Sequence, residues 1–215
     1  MADSWRQVDL VVTTITKTCL ENEKYFGDLD SVVGDGDFGY SLARGFEKLD
    51  AEYATLDRSD IGTFLKKTGM LLTSRIGGTS GPIWGTGFIR AGMVAGNAEE
   101  LNGATVVEML RSAIAGIMAR GKADFGDKTL LDALGPLADS LETSLASGPS
   151  ARDALSEAAV ATRKAADATA DLVARRGRAS YTGDRSRGSV DAGATAVAVI
   201  VEQIAQAWTQ EEQNA

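Results

Sequence analysis

The chain has 215 residues, and 44% of them are hydrophobic, which is enough to bury a core of ordinary size. Its formal net charge of -8 disfavours direct binding to nucleic acid or to an anionic membrane, because both need a basic face. The sequence contains no histidine, so a Ser-His-Asp triad is excluded and a metal site must use oxygen ligands, which suit Mg2+, Mn2+ or Ca2+. A single cysteine, no long apolar run and no basic-then-apolar leader together predict a cytoplasmic protein.

Helical periodicity runs through the chain. In the first segment apolar residues recur at steps of three and four, which predicts an amphipathic helix through Trp5, Val8, Val12, Ile15 and Cys19. The same reasoning predicts helices at about 38–55, 60–75, 81–96, 106–117, 130–145, 150–176 and 197–208. Ser59 and Asp60 are expected to cap the helix at about 60–75, and Ser150 the helix at about 150–176. No segment alternates long enough to predict a strand, so the sequence predicts an all-α fold of eight helices, with residues 1–215 as one domain.

Three glycine-rich loops lie next to predicted helix starts. The first, "LDSVVGDGDFG", places Asp30, Asp35 and Asp37 within eight residues. The second is "GGTSGPIWGTG" at 77–87, and the third belongs to the long irregular segment 175–194. Amides at helix N-termini bind phosphate, and glycine lets the backbone approach a ligand closely. Three carboxylates repel phosphate unless divalent cations lie between the two.

The spacing alone leaves the roles of these residues open. The aspartates form either a Mg2+–phosphate site or solvated turns, since Asp-Gly is a common turn pair. An EF-hand is disfavoured because the loop lacks the terminal glutamate of that motif. Thr79 and Ser80 either bind phosphate or only link two helices, and Arg178 either binds a phosphate or forms a surface ion pair.

Four motifs in order carry a family resemblance. "LDSVVGDGDFG", "GGTSGPIWG", "RGKADFGDKT" and "GRASYTGDRS" with "DAGA" after it span Leu29 to Ala194. In this order and spacing the chain resembles the nucleotide-binding (L) subunit of dihydroxyacetone kinase. The resemblance implies a closed barrel of eight antiparallel amphipathic helices, with the nucleotide site in the loops at one end.

The resemblance also assigns the ligands and their residues. Two Mg2+ ions, bound by Asp30, Asp35 and Asp37, are expected to bridge the phosphates of ADP or ATP. The other positions that it places around the nucleotide are Phe38, Gly39, Tyr40, Ser41, Thr79, Ser80, Gly121, Leu130, Arg178, Asp191 and Gly193. No catalytic residue beyond the metal ligands is predicted for this chain.

The substrate is expected to lie on another protein. The resemblance implies a separate K subunit that holds dihydroxyacetone or a related short-chain ketose, such as a tetrulose, and receives the phosphoryl group there. Phe38 stands where relatives recharged by the bacterial sugar phosphotransferase system usually have histidine and where ATP-dependent relatives often have cysteine. Ala192 also replaces a common proline. The phosphoryl source, ATP or a phosphotransferase-system protein, therefore stays open.

Two other functions fit the loop that contains Asp30, Asp35 and Asp37, which we call the aspartate loop. One is a module that senses the nucleotide state and acts on a transcription regulator, as some members of the family do. The other is the ATP-binding domain of a fatty-acid kinase, which "GGTSGPIWG" and "GRASYTGDRS" fit poorly. The kinase subunit is the preferred interpretation.

Overall fold

The computed structural model of the protein describes residues 2–148 and 150–214. Within these residues it contains α-helices and short 3-10 helices but no strand, which confirms the all-α prediction. The α-helices are α1 (Ala2–Glu21), α2 (Glu23–Ser31), α3 (Phe38–Glu52), α4 (Ile61–Arg75), α5 (Ser80–Ala95), α6 (Gly103–Gly121), α7 (Leu131–Ser147), α8 (Ala151–Ala168) and α9 (Ala192–Asn214). The 3-10 helices are Tyr53–Thr55, Thr169–Asp171 and Arg178–Ser186. None of the described helices is long and apolar enough to cross a membrane.

The helices form a closed ring. From α3 to α9 each helix packs against the next one in the chain, and α9 completes the ring by packing against α1. Because consecutive helices are neighbours, they run antiparallel, and alternate connections lie at the same end of the ring. The connections 32–37, 76–79, 122–130 and 169–191 therefore share one end, which we call the loop end.

The predicted count of eight helices is not confirmed, because α2 was missing from the prediction. Only Asn22 separates α1 from α2, and both helices pack against α3 and α9, so together they occupy one position of the ring. The sequence of α2 gave a weak helical signal, since Phe26 is its one buried residue and Gly27 lies near its middle. A Cβ added to Gly27 would lie 3.2 Å from the carbonyl oxygen of Gly36, so glycine at this position lets the connection 32–37 pack closely on α2.

The structure confirms Asp60 and Ser150 as caps, shows that Asp60 rather than Ser59 is the cap of α4, and corrects one helix end. Asp60 accepts a hydrogen bond from the amide of Thr63, and Ser150 caps α8 in the same way. The predicted helix 150–176 is too long, because α8 ends at Ala168. There the hydroxyl of Thr169 accepts a hydrogen bond from the amide of Asp191 at 2.8 Å. The alanine-rich composition favours a longer helix, but this contact with the residue before α9 accompanies the end of the helix.

The core lies between the helices of the ring. Phe26, Phe46, Phe64 and Leu72 are among the fully buried side chains in the half formed by α1 to α4. Small residues, mainly alanines of α7, α8 and α9, form much of the core in the other half. The close packing of these helices fixes the positions of the four connections at the loop end.

Candidate functional site

Three carboxylates converge at the loop end. Asp30 lies in the last turn of α2, Asp35 lies in the connection, and Asp37 directly precedes α3. One carboxylate oxygen from each residue lies within 4.8 Å of the others. Asp30 is partly buried, whereas the other two carboxylates are exposed. An all-oxygen set of this spacing fits a hard divalent cation such as Mg2+, which prefers carboxylate ligands and retains several waters.

The glycines of this connection shape the aspartate loop. Asp30 Oδ2 accepts a hydrogen bond from the amide of Gly36 at 2.9 Å and a longer one from the amide of Phe38 at 3.4 Å. Gly36 has a φ of 76°, a left-handed conformation that glycine adopts without strain. Gly34 packs so closely on Asp30 that an added Cβ would overlap its carboxylate. The glycines therefore let a short connection wrap around the Asp30 side chain.

Arg178, which lies far from these aspartates in the sequence, contacts two of the three carboxylates. Its guanidinium forms an ion pair with Asp35, and its Nη1 lies 3.4 Å from Asp37 Oδ2. The side chain of Arg178 is more than half exposed, so the pair is weak by itself. The structure thus places Arg178 on the predicted metal ligands, where its positive charge offsets part of their mutual repulsion.

The second glycine-rich loop meets the start of α3. A Cβ added to Gly77 would lie 3.2 Å from Ser41 Oγ. Ser41 is in the first turn of α3, beside Gly39, which is buried, and Tyr40, which is exposed. The exposed Thr79 and the partly buried Ser80 open α5 at the same end. The N-termini of α3 and α5, whose first-turn amides have no partner within their own helix, are therefore neighbours of the aspartate loop.

The remaining predicted residues form a second group at the loop end. A Cβ on Gly193 would lie 3.1 Å from Asp191 Oδ2 and 3.5 Å from Leu130 Cβ, so the starts of α7 and α9 are in contact. Gly121 ends α6, and a Cβ there would touch Ile83 in the first turn of α5. Arg178 links this group to the aspartates, since it belongs to the same connection as Asp191.

Comparison with known proteins decides the family. Residues 32–206 match the DAK2 domain. The chain belongs to the DAK2 domain family. It is 40% identical to the "PEP-dependent dihydroxyacetone kinase, ADP-binding subunit DhaL" of Escherichia coli strain K12, over 85% of this chain and 87% of the relative. The predicted resemblance is thereby confirmed.

Longer DAK2 relatives match over a similar part of this chain. An "L-erythrulose kinase" of Pectobacterium atrosepticum is 36% identical over 86% of this chain, which spans 32% of the relative's length. The crystal structure of the C. freundii dihydroxyacetone kinase in complex with AMP-PNP and Mg2+ matches with a TM-score of 0.71 and 27% identity, over 91% of this chain and 33% of that one. The chain thus spans about a third of the length of these two proteins.

The sequence predicts neither of two adjacent buried charges in this DAK2 protein, Asp127 and Lys128. Lys128 is only 2% exposed and has a φ of 62°, which is rare for a residue other than glycine. It lies within the quoted motif "RGKADFGDKT", but no spacing or periodicity marks it as buried. Its ammonium contacts the backbone of the connection between α8 and α9, which lies far away in sequence.

Asp191 is the most perturbed carboxyl group of the site. Burial raises the pKa of Asp191 to about 7, against the opposing effect of the hydrogen bond from the Ala194 amide. The nearby Asp132 carboxylate raises this pKa further, whereas Lys128 lowers it. A carboxyl group that protonates near neutral pH makes the start of α9 sensitive to pH.

This shift predicts how stability depends on pH in the absence of ligand. The folded protein holds the Asp191 proton more tightly than the unfolded chain, so the stabilisation is complete below about pH 4 and is lost as the pH rises to about 7. Asp191→Asn mimics the protonated form and lacks this dependence. Urea unfolding at about pH 5 and about pH 8 is expected to show the wild type losing stability relative to Asp191→Asn at the higher pH. Parallel pH profiles for the two proteins would contradict the raised pKa.

Proposed function

We propose that this chain is the nucleotide-binding subunit of a kinase for dihydroxyacetone or a related short-chain ketose. The subunit holds ADP or ATP with two Mg2+ ions, and the phosphoryl group passes to a ketose on a separate K subunit. The observation that carries the proposal is the convergence of Asp30, Asp35 and Asp37 at the end of the ring where the connections meet. Residues 1–215 act in this proposal as one nucleotide-binding domain.

Different residues at the loop end have different roles in this proposal. Asp30, Asp35 and Asp37 hold the cations, and bound Mg2+ supplies the charge neutralisation that phosphoryl transfer requires. First-turn amides of α3 and α5, such as those of Gly39 and Gly81, bind phosphate oxygens, because amides without an intrahelical partner at helix N-termini favour anions. Arg178 leaves its carboxylate partners when the cations bind and contributes its charge to the phosphates instead.

The relatives support the nucleotide and the substrate class. The E. coli relative is named as an ADP-binding subunit, and the related C. freundii structure contains AMP-PNP and Mg2+. The relatives include both dihydroxyacetone and erythrulose kinases, so the proposed substrate is a ketose of three or four carbons. The phosphoryl donor is either ATP or a phosphotransferase-system protein that recharges bound ADP.

A calorimetric titration tests the proposal. ADP is expected to bind the purified chain in the presence of Mg2+, and binding is expected to disappear when EDTA removes the metal, because the carboxylates then repel the phosphates. A matched titration with adenosine, which has no phosphate, is expected to show no dependence on Mg2+. Equal affinity for ADP with and without the metal would contradict the proposed role of the aspartates.

A further inference from the structure

We propose that Lys128 is a positioning residue, whose buried ammonium ties together the two ends of the segment that carries Arg178. This segment, residues 172–189, is called the arginine segment here because it contains Arg175, Arg176, Arg178, Arg185 and Arg187. The inference deepens the proposed function and rests on it for the identity of the ligand.

The hydrogen bonds of Lys128 connect the two ends of the arginine segment. Its Nζ donates hydrogen bonds to the backbone carbonyls of Leu172 at 3.2 Å, Ser189 at 2.6 Å and Ser186. An ammonium group has three N–H donors, so these carbonyls can use all of them. Leu172 begins the arginine segment, whereas Ser186 and Ser189 end it. One side chain thus holds both ends of a long connection that contains the 3-10 helix Arg178–Ser186.

The environment of Lys128 explains why a charge is needed there. A lysine is rarely so completely buried unless its charge is compensated, and here the three carbonyl dipoles provide the compensation. Burial lowers the pKa of Lys128, and the nearby Asp191 carboxylate opposes that change. The left-handed backbone at Lys128 is also strained, and such strain persists only where the surroundings over-determine it.

Other hydrogen bonds near Lys128 also join the two ends of the arginine segment, and we call these joined ends its base. The amide of Gly188 donates to the carbonyl of Ala170 at 2.9 Å, and the amide of Ala174 donates to the buried hydroxyl of Ser186 at 2.8 Å. The residue before Lys128 contributes as well, because the carbonyl of Asp127 accepts from the amide of Arg175 at 3.0 Å. The arginine segment is therefore a closed loop whose base is fixed and whose middle carries the exposed Arg178 and Arg185.

Arg178 lies within this closed loop, and its guanidinium reaches Asp35 and Asp37. Its side chain is exposed, so packing does little to hold it in place. Once the base opens, the segment gains conformational freedom, and bringing Arg178 to the aspartates or to a bound phosphate then costs more entropy. Lys128 thus acts on the site through Arg178 and without touching the ligand.

Chemical rescue tests the role of the ammonium group. Lys128→Ala removes the amine and leaves a cavity lined by three carbonyls, and it is expected to lower the affinity for Mg2+-ADP about 10-fold in calorimetry. Added propylammonium is expected to restore most of that loss, whereas tetramethylammonium, which has the charge but no N–H donor, is expected to restore none. Lys122→Ala is the matched control, because Lys122 is exposed and has a left-handed backbone in the same connection. It is expected to change neither the affinity nor the response to amines.

A double variant separates positioning from general destabilisation. If Lys128 acts through Arg178, then Lys128→Ala in an Arg178→Gln background is expected to cost less than about 3-fold in further affinity. Full additivity of the two losses, or an absence of rescue by propylammonium, would overturn the proposal.

Trypsin cleavage gives a readout that needs no nucleotide. The arginine segment of Lys128→Ala is expected to be cleaved at least about 10-fold faster than that of the wild type, and propylammonium is expected to slow this cleavage. Should Lys128→Ala lose helical content, Lys128→Met, which keeps most of the side-chain volume, is expected to show the same fast cleavage without rescue. Cleavage at the wild-type rate in either folded variant would overturn the proposal. A wild type that fails to bind Mg2+-ADP would instead overturn the proposed function and leave this cleavage result standing.

Discussion

Asp35→Asn is expected to lower the affinity for Mg2+-ADP by at least about 100-fold, a loss at the upper end of those seen when groups around a metal are changed. Asparagine keeps the shape of the side chain but removes the negative charge that a hard cation requires. Asp35 lies in an exposed loop and its described ion pair is with Arg178, so the fold is expected to tolerate the change. Calorimetry with ADP and Mg2+ measures the affinity, and circular dichroism checks that the helical content is unchanged.

Asp28→Asn is the matched control for this variant. Asp28 lies in α2, close in sequence to the aspartate loop, and its carboxylate pairs with Lys24 at 2.6 Å on the exposed surface. The chemical change is the same, but the site loses no ligand, so the affinity for Mg2+-ADP is expected to stay within about 2-fold. An Asp35→Asn protein that binds as tightly as Asp28→Asn would remove Asp35 from the metal site.

Gly39→Ala is expected to lower the free energy of unfolding by about 2 kcal/mol or more, because overpacking against rigid backbone cannot be relieved by a side-chain movement. The added Cβ would overlap the carbonyl oxygen of Glu23 and would lie 2.6 Å from the backbone nitrogen of Gly27. Both atoms belong to α2, so α2 and α3 must separate, and the aspartate loop between them moves. Urea unfolding at neutral pH measures the loss.

Gly87→Ala is the control, and it is expected to raise the free energy of unfolding rather than lower it. Gly87 lies inside α5, where an added Cβ would meet only Ile117 Cδ1 at an ordinary 3.5 Å. Alanine has the higher helix propensity, so this variant is expected to be more stable than the wild type by up to about 1 kcal/mol. If both glycine variants changed stability equally and in the same direction, the close approach of α2 and α3 would not be the cause.

Much of the fold could be predicted from local sequence patterns. Stripes such as that through Val8, Val12 and Cys19 mark a helix because its buried face repeats every three to four residues. The caps Asp60 and Ser150 were also visible, since capping depends on residues that are close in sequence. Helix α2 was not visible because it buries little and is nearly continuous with α1.

Some features of the candidate site could likewise be predicted from local sequence, and others could not. The three aspartates belong to one short loop, so their convergence follows from local sequence, although only the structure shows how their oxygens are spaced. The contacts of Arg178 with Asp35 and of Lys128 with Ser186 join distant parts of the chain. No spacing rule can reveal such pairs, because they depend on how the ring closes and on which connections it brings to one end.

The most direct test of the account is a crystal structure of the chain grown with Mg2+ and ADP. The account predicts metal ions about 2.0–2.1 Å from carboxylate oxygens of Asp30, Asp35 and Asp37, with phosphate oxygens on the same ions. It also predicts that the Arg178 guanidinium has left Asp35 and Asp37. A structure with ADP bound elsewhere, and with the three carboxylates facing solvent or still paired with Arg178, would contradict the account.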